Sequence, residues 1–246
     1  MAEEYIHGMN PAFEVIRARR RRIHKAWLQE GTDASARMKK LASSLAALAV
    51  PVERVTKQRL CQLCRSAEHQ GVVLVTDPYP YVSFESLLAC TRLLLLDNVE
   101  DPQNVGAILR SAEAFGWEAV LLSARGVPAV YPSVVKASAG AAEYLRIAQD
   151  HPANAYVKLL LENKFTIVAL DENGKESIAV FREKPPEKML LVIGGEHRSV
   201  GQFILNQAQH IVGIPQRGKV GSLNASVAAG IALYALGKAV AQPQGG

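Results

Sequence analysis

Three short stretches of this chain hold residue types that could do chemistry. The first is Asn104-Val-Gly106-Ala-Ile-Leu-Arg110, the second Gly194-Gly195-Glu196, and the third Ile214-Pro215 followed by Ser222-Leu223-Asn224. An arginine offers a planar fork suited to phosphate and stays protonated, so Arg110 can hold or offset an anion but cannot serve as a simple base. Paired glycines let backbone approach a ligand closely, and Glu196 sits directly beyond them. Ser and Asn cap the unpaired N–H groups of a helix's first turn, and donors left free there can bind a ligand instead. Taken singly, each stretch also fits a bland role: a cap, a common turn, a surface ion pair.

The elements around these stretches must put them together. Residues 211–214 form a short apolar run that Pro215 cuts off, since proline cannot continue a strand ladder. A glycine-punctuated loop over 216–221 follows, and Ser222–Asn224 open a run of small and apolar residues over 225–236, about three helical turns. That helix carries almost no charge before Lys238, so it is either core or packed on a partner chain. Upstream the pattern alternates. Strands are expected over 93–96, 119–122, 145–148, 166–170 and 189–194, and helices over 105–115, near 132–138, and over 153–162 and 199–206. Continuous apolar strands such as LLLL are covered on both faces, which implies a parallel sheet with helices on either side. Ligands in such sheets bind beyond the carboxyl ends of the strands, where all three stretches fall.

The N-terminal part differs in charge. Residues 1–70 hold 13 Lys and Arg against 7 Asp and Glu, whereas residues 71–246 hold 15 against 16. Local net charge of that sign points to a polyanionic partner, most simply nucleic acid. A helix is expected over 11–22. Within it Arg17, Arg19, Arg20, Arg21 and Arg22, followed by Lys25, would turn several guanidinium groups toward one surface; a solvated helix end is the plainer alternative. Strands over 23–28, 52–55 and 72–75 and helices over 34–48 and 57–64 complete a compact α/β unit. Residues 77–83, DPYPYVS, read as a proline-stiffened linker whose Tyr79 and Tyr81 anchor it to a domain. The expected division is therefore 1–76, a linker 77–83, and 84–246.

Several classes drop out. Three cysteines are too few for a disulfide scaffold, Cys61-x-x-Cys64 lacks further ligands for zinc, and no metal site is expected. No apolar run reaches membrane-spanning length and the acidic N-terminus is unlike a secretory signal, so the cytoplasm is expected. A nucleotide-dependent oxidoreductase would need a G-x-G-x-x-G after the first strand of the second unit, which is missing.

Together and in this order, the three stretches resemble the motifs of the SpoU (TrmH-like) RNA ribose 2′-O-methyltransferases of the SPOUT class: N-x-G-x-x-x-R, a G-x-E turn, and I-P followed by S-L-N. Lys136-Ala-Ser138-Ala-Gly140-Ala141 looks like the family's K-x-S-x-G-A stretch. Ile6-His-Gly8 and Gln70-Gly71 look like the substrate-binding domain of the bacterial 23S rRNA guanosine methyltransferases. His197-Arg198 departs from the small residue that members often carry after the glutamate.

The resemblance implies a C-terminal parallel-sheet SPOUT domain with a deep trefoil knot, preceded by a small α/β, ribosomal-protein L30e-like, RNA-binding domain. It implies S-adenosyl-L-methionine held by Gly194, Gly195, Ile214, Leu223 and Asn224, and a homodimer that uses the apolar last helix. Arg110, Asn104, Glu196, Ser222 and Asn224 would be catalytic, with Glu196 holding Arg110. Arg19, Arg20, Arg21, Arg22 and Lys25 would bind RNA. The substrate would be 23S rRNA, with tRNA as the rival; a non-catalytic RNA-binding protein on the same fold is the alternative from another class.

Overall fold

In the computed structural model, residues 3–179, 186–196, 198–218 and 222–237 are described. The first part of the chain runs β1 (Glu4–His7), α1 (Met9–Ala18), β2 (Ile23–Gln29), α2 (Ala36–Ala47), β3 (Val52–Val55), α3 (Lys57–Cys64) and β4 (Val72–Thr76). These strands form a sheet in the order β1-β4-β2-β3, with β4 antiparallel to both neighbours and β2 parallel to β3. β1 gives little sequence signal: four residues, two of them polar, closing the sheet at its edge.

The second part continues with β5 (Arg92–Asp97), α4 (Pro102–Ala114), β6 (Ala119–Leu122), α5 (Pro132–Ala137), β7 (Arg146–Ala148), α6 (Ala153–Glu162) and β8 (Thr166–Leu170). It ends with β9 (Glu176–Ser177), β10 (Met189–Gly194), α7 (Gln202–Gln207), β11 (His210–Gly213) and α8 (Ala225–Leu236). The seven strands lie in the order β7-β6-β5-β10-β8-β11-β9, and every pairing is parallel. The alternation in the sequence thus became the expected parallel sheet. From β5 the chain moves out to β6 and β7 on one side, while β10 lies on the other. The carboxyl ends of β5 and β10 flank a topological switch point, where their loops part and leave room for a ligand.

The leucine run of β5 divides between the two faces, because successive strand residues point to opposite sides. Leu94 and Leu96 join the cluster under α4, α5 and α8, while Leu93 and Leu95 join the one under α6 and α7. All four are fully buried. The first of these clusters also includes Ile6, Phe13, Leu28 and Met38, so the cores of the two units are continuous.

One expectation is corrected here. The first helix stops at Ala18, because Arg19 adopts a left-handed conformation (φ 51°) that ends it. The arginines beyond therefore leave the helix axis instead of sharing one face. The Arg21 side chain is fully buried and forms ion pairs with Glu143, also fully buried, and with Glu4. Arg20 donates to the carbonyls of Glu143, Leu145 and Pro80. Both belong to the seam between the two units, and their guanidinium groups are already bonded within the protein. A buried guanidinium must find acceptors within the protein, and Glu143, in the turn at Ala141–Tyr144, supplies some of them to both arginines. Beside them the Tyr79 hydroxyl donates to the Ala142 carbonyl at 2.7 Å, and the Tyr81 hydroxyl accepts from the Val130 amide at 2.7 Å. Arg19 and Arg22 are exposed; Lys25 is paired with Glu53.

Candidate functional site

The site forms where β5, β10 and β11 end. After β5, Asp97 is buried, and burial raises its carboxyl pKa, while its Oδ2 accepts from the Gly201 amide at 2.9 Å. That bond fixes the start of α7, which begins three residues later than the expected 199. Asn98 follows in a left-handed conformation (φ 56°), which asparagine tolerates better than most residues. Asp101 then caps α4, its side chain accepting from Gln103 N at 2.8 Å with Pro102 in the first turn. Asn104 is consequently in the first turn and buried.

The glycines after β10 are needed for a reason other than ligand approach. A Cβ at Gly195 would lie 1.9 Å from the Asn98 carbonyl oxygen, and one at Gly194 would lie 2.3 Å from Val200 N. The smallness of Gly195 lets the loops after β5 and β10 close on each other, and that of Gly194 lets the loop after β10 fold back on its own strand end. This closure brings Glu196 to Asn104, whose Nδ2 donates to Glu196 Oε1 at 3.2 Å.

Asn224 completes the cluster from the third motif. Its Oδ1 caps α8, accepting from Ser226 N at 3.0 Å and Val227 N at 3.3 Å. With the oxygen committed to the cap, the amide nitrogen is free to donate, and it donates to Glu196 Oε1 and to Asn104 Oδ1. One side chain both starts the helix and ties the three motifs together. The cap expected at Ser222–Asn224 is therefore Asn224 alone. Ser222 is exposed, and no bond to its hydroxyl is seen among the described residues.

Arg110 stands apart. It is exposed on α4 with no hydrogen bond or ion pair among the described residues, and Glu196 bonds Asn104 and Asn224 instead of Arg110. The expected Glu196–Arg110 contact is thus replaced. Six residues along a helix turn a side chain well away from the starting face. His197, the departure in the second motif, lies outside the described residues, as do residues 219–221 of the loop before Ser222.

Next to the Asn104–Glu196–Asn224 cluster lies a cavity of about 300 Å3. Gly194, Gly195, Glu196, Ile214, Ser222, Leu223 and Asn224 all line it; Asn104 and Arg110 do not. Leu170, Ile193 and Ala228 give it an apolar wall, and Asp171 and Glu172, after β8, add two carboxylates. The sequence reading missed these two acids, although Leu170-Asp171-Glu172-Asn173 closes a strand in the same way as Leu96-Asp97-Asn98. Asp97 escaped it too, because an acid at the end of an apolar run carries no spacing signal.

Known proteins match most of the chain. Residues 91–234 match the family described as the SpoU rRNA Methylase family, and residues 5–82 match RNA 2′-O ribose methyltransferase substrate binding. An uncharacterized tRNA/rRNA methyltransferase of Mycobacterium sp. (strain KMS) is 32% identical over 237 residues, 94% of this chain and 74% of that protein. The putative TrmH family tRNA/rRNA methyltransferase YacO of Bacillus subtilis is 29% identical over 94% of each chain. The crystal structure of the SpoU methyltransferase AviRb from Streptomyces viridochromogenes in complex with AdoMet superposes with a TM-score of 0.77. It covers 95% of this chain and 89% of that one, at 22% identity, and so establishes a common fold. A parallel sheet carrying the three motifs at its strand ends, a preceding α/β unit and these matches lead to one conclusion: the chain belongs to the SpoU family of RNA methyltransferases.

Proposed function

We propose that this protein methylates a ribose 2′-hydroxyl of RNA using S-adenosylmethionine, its target being a guanosine of 23S rRNA. The observation that carries the reading is the meeting of Asn104, Glu196 and Asn224 beside a cavity walled by loop backbone. The cavity's chemistry suits the cofactor. Leu170, Ile193 and Ala228 fit a purine, Asp171 and Glu172 fit hydroxyl and ammonium groups, and backbone at Gly194, Gly195, Ile214 and Leu223 is at hand for adenine and ribose. When bound, the cofactor supplies a methyl group already activated on a sulfonium.

What remains for the chain is to align a weak nucleophile and to offset the charge that develops on its oxygen. Arg110 is the residue for the second task. Exposed and unpaired among the described residues, it is free to hold the phosphate next to the target ribose or to stabilise the developing alkoxide. Glu196 works through the two asparagines, keeping the three motif loops in register, and Ser222 at the cavity rim assists binding. Arg19 and Arg22 remain as phosphate contacts, with Lys25 available once it leaves Glu53.

The reading includes a homodimer through the C-terminal unit. Val227, Ile231 and Tyr234 lie on one face of α8 and are 50%, 39% and 66% exposed, an apolar row that a second copy would cover. Ser111 of α4 and Phe115 just beyond its end pack against α8 at Gly230 and Tyr234, so Arg110 flanks that same face and would meet the partner. A trefoil knot in the segment after β10, a cytoplasmic location, and the division into 1–76, 77–83 and 84–246 belong to the same proposal; two separate sheets support the division. A tRNA substrate is the second reading, since the relatives' names include both RNAs.

The test is transfer of labelled methyl to total rRNA and tRNA from a strain lacking the protein. Label in 23S rRNA as 2′-O-methylguanosine is expected. Label confined to tRNA would overturn the substrate, and absence of both transfer and cofactor binding would overturn the enzyme.

A further inference from the structure

A second cleft, of about 510 Å3, opens between the two units and is not part of the site described above. Its walls come from both: Tyr5, Gln62 and Arg65 from the N-terminal unit, and Tyr131, at the end of the loop leading into α5, with Pro132, the first residue of that helix. That loop belongs to the catalytic end of the large sheet. It leaves the carboxyl end of β6, and a Cβ at Gly126 would lie 3.0 Å from Asn98 Oδ1, the residue whose carbonyl packs on Gly195.

Packing accounts for one of the cleft's aromatic rings but not the other. Tyr5 is half-buried beside Trp27, with centroids 6.0 Å apart and planes 8° apart, over a small cluster of Val55, Leu60 and Val73. Its role as floor is structural. Tyr131 is 54% exposed, and its hydroxyl has no partner among the described residues. The other exposed tyrosines have duties: Tyr144 bonds Glu14, Tyr81 bonds the Val130 amide, and Tyr234 lies on the α8 face. Arg65, exposed and unpaired among the described residues, borders the cleft opposite Glu3 and Glu4, and Glu4 is already engaged by Arg21. Local charge is therefore nearly balanced, which suits contact with a base more than with a run of phosphates. Unpaired bases are recognised by stacking on aromatic faces and by polar groups at their edges, and Gln62 and Arg65 are such groups.

We propose that this cleft takes an unpaired nucleotide of the RNA substrate, its base stacked on Tyr131 and its edge met by Gln62 and Arg65. A base held between the unit that matches substrate binding and the loop next to Asn98 would fix the distance from the recognised nucleotide to the methylated one. The inference rests on the RNA methyltransferase reading.

Its test uses the full chain, a mixed-sequence 12-nucleotide single-stranded RNA and a duplex of the same length, with affinities taken from fluorescence anisotropy. Tyr131→Ala should weaken single-strand binding about tenfold, the scale of one lost base stack. Tyr131→Phe should stay within about twofold, and duplex binding should not change. Because the lost contact is not ionic, the salt dependence of binding should keep its slope in Tyr131→Ala. RNA carrying 4-thiouridine should cross-link to peptides containing Tyr131 or Tyr5. Unchanged single-strand binding in Tyr131→Ala, equal losses for strand and duplex, cross-links only elsewhere, or a wild type that ignores the single strand would each overturn the proposal. Methyl transfer to total RNA, run on the same preparations, separates the failures. Transfer by the wild type together with any of those results removes the cleft alone, whereas no transfer and no RNA binding removes the wider reading as well.

Discussion

Arg21 and Arg110 are the same residue type put to opposite uses. Arg21, in the middle of the arginine run, is sealed between Glu4 and Glu143 at the seam of the two units. Arg110, isolated in sequence, is exposed with no partner among the described residues. A guanidinium taken out of water must be matched by acceptors, so the fold surrounds Arg21 with carboxylates and Arg20 with carbonyls. A guanidinium left in water is free for a ligand. Clustering along the chain therefore says little about which cations meet RNA; the deciding quantity is whether the fold has already supplied an anion.

The largest expected effect that sharpens this contrast is at the seam. Glu143→Gln should cost about 3–5 kcal/mol in denaturant unfolding, because it leaves Arg21 buried with only one carboxylate. The double variant Arg21→Met with Glu143→Met should recover much of that loss; no recovery would mean that the pair does more than satisfy its own burial. At the other pole, Arg110→Ala should slow methyl transfer about a hundredfold or more. Its unfolding free energy should stay within about 0.5 kcal/mol of wild type. Full activity would break the contrast.

Smaller effects lie between these poles. Asn224→Ala should lower stability by about 1 kcal/mol through loss of the α8 cap, and should also cut activity, since the same side chain holds Glu196. Asn224→Asp should keep the cap but set a carboxylate against Glu196, so stability and activity should separate. The smallest effect is one of pH. His7 and His69 are buried near the seam, with His7 Nδ1 and His69 Nε2 unbonded among the described residues, and burial lowers both pKa values below 6.5, aided by Lys136 at His7 and by Lys57 and Lys136 at His69. The unfolded chain then binds more protons than the folded one below pH 6.5. Stability should be complete above that pH and decline as pH falls through the lowered values. Melting temperature followed from pH 7.5 to 5 should fall, and His7→Gln should fall less; identical curves would remove His7 from the account.

Much of the large sheet was legible because its signals are local. The apolar runs at Leu93–Leu96 and Leu190–Ile193 and the small-residue run after Asn224 appear as β5, β10 and α8. β1 and β9 escaped notice, being four and two residues long and mostly polar, and they exist only through their partners β4 and β11. Of the candidate site, the motifs were legible but their contacts were less so. The motifs suggest Arg110 as the partner of Glu196, whereas its neighbours are Asn104 and Asn224, and the paired glycines serve loop closure against Asn98 and Val200.

The sequence by itself determined most of the strands and helices, where Asn224 starts the last helix, and which three stretches face the same end of the sheet. Periodicity, capping and chain direction act over a few residues, so they can be read along the chain. Only the tertiary structure decided that Arg21 meets Glu143, 122 residues away, and that Glu196 meets two asparagines. Those choices follow from burial and from which acceptors the packed elements leave open, and no local pattern encodes either.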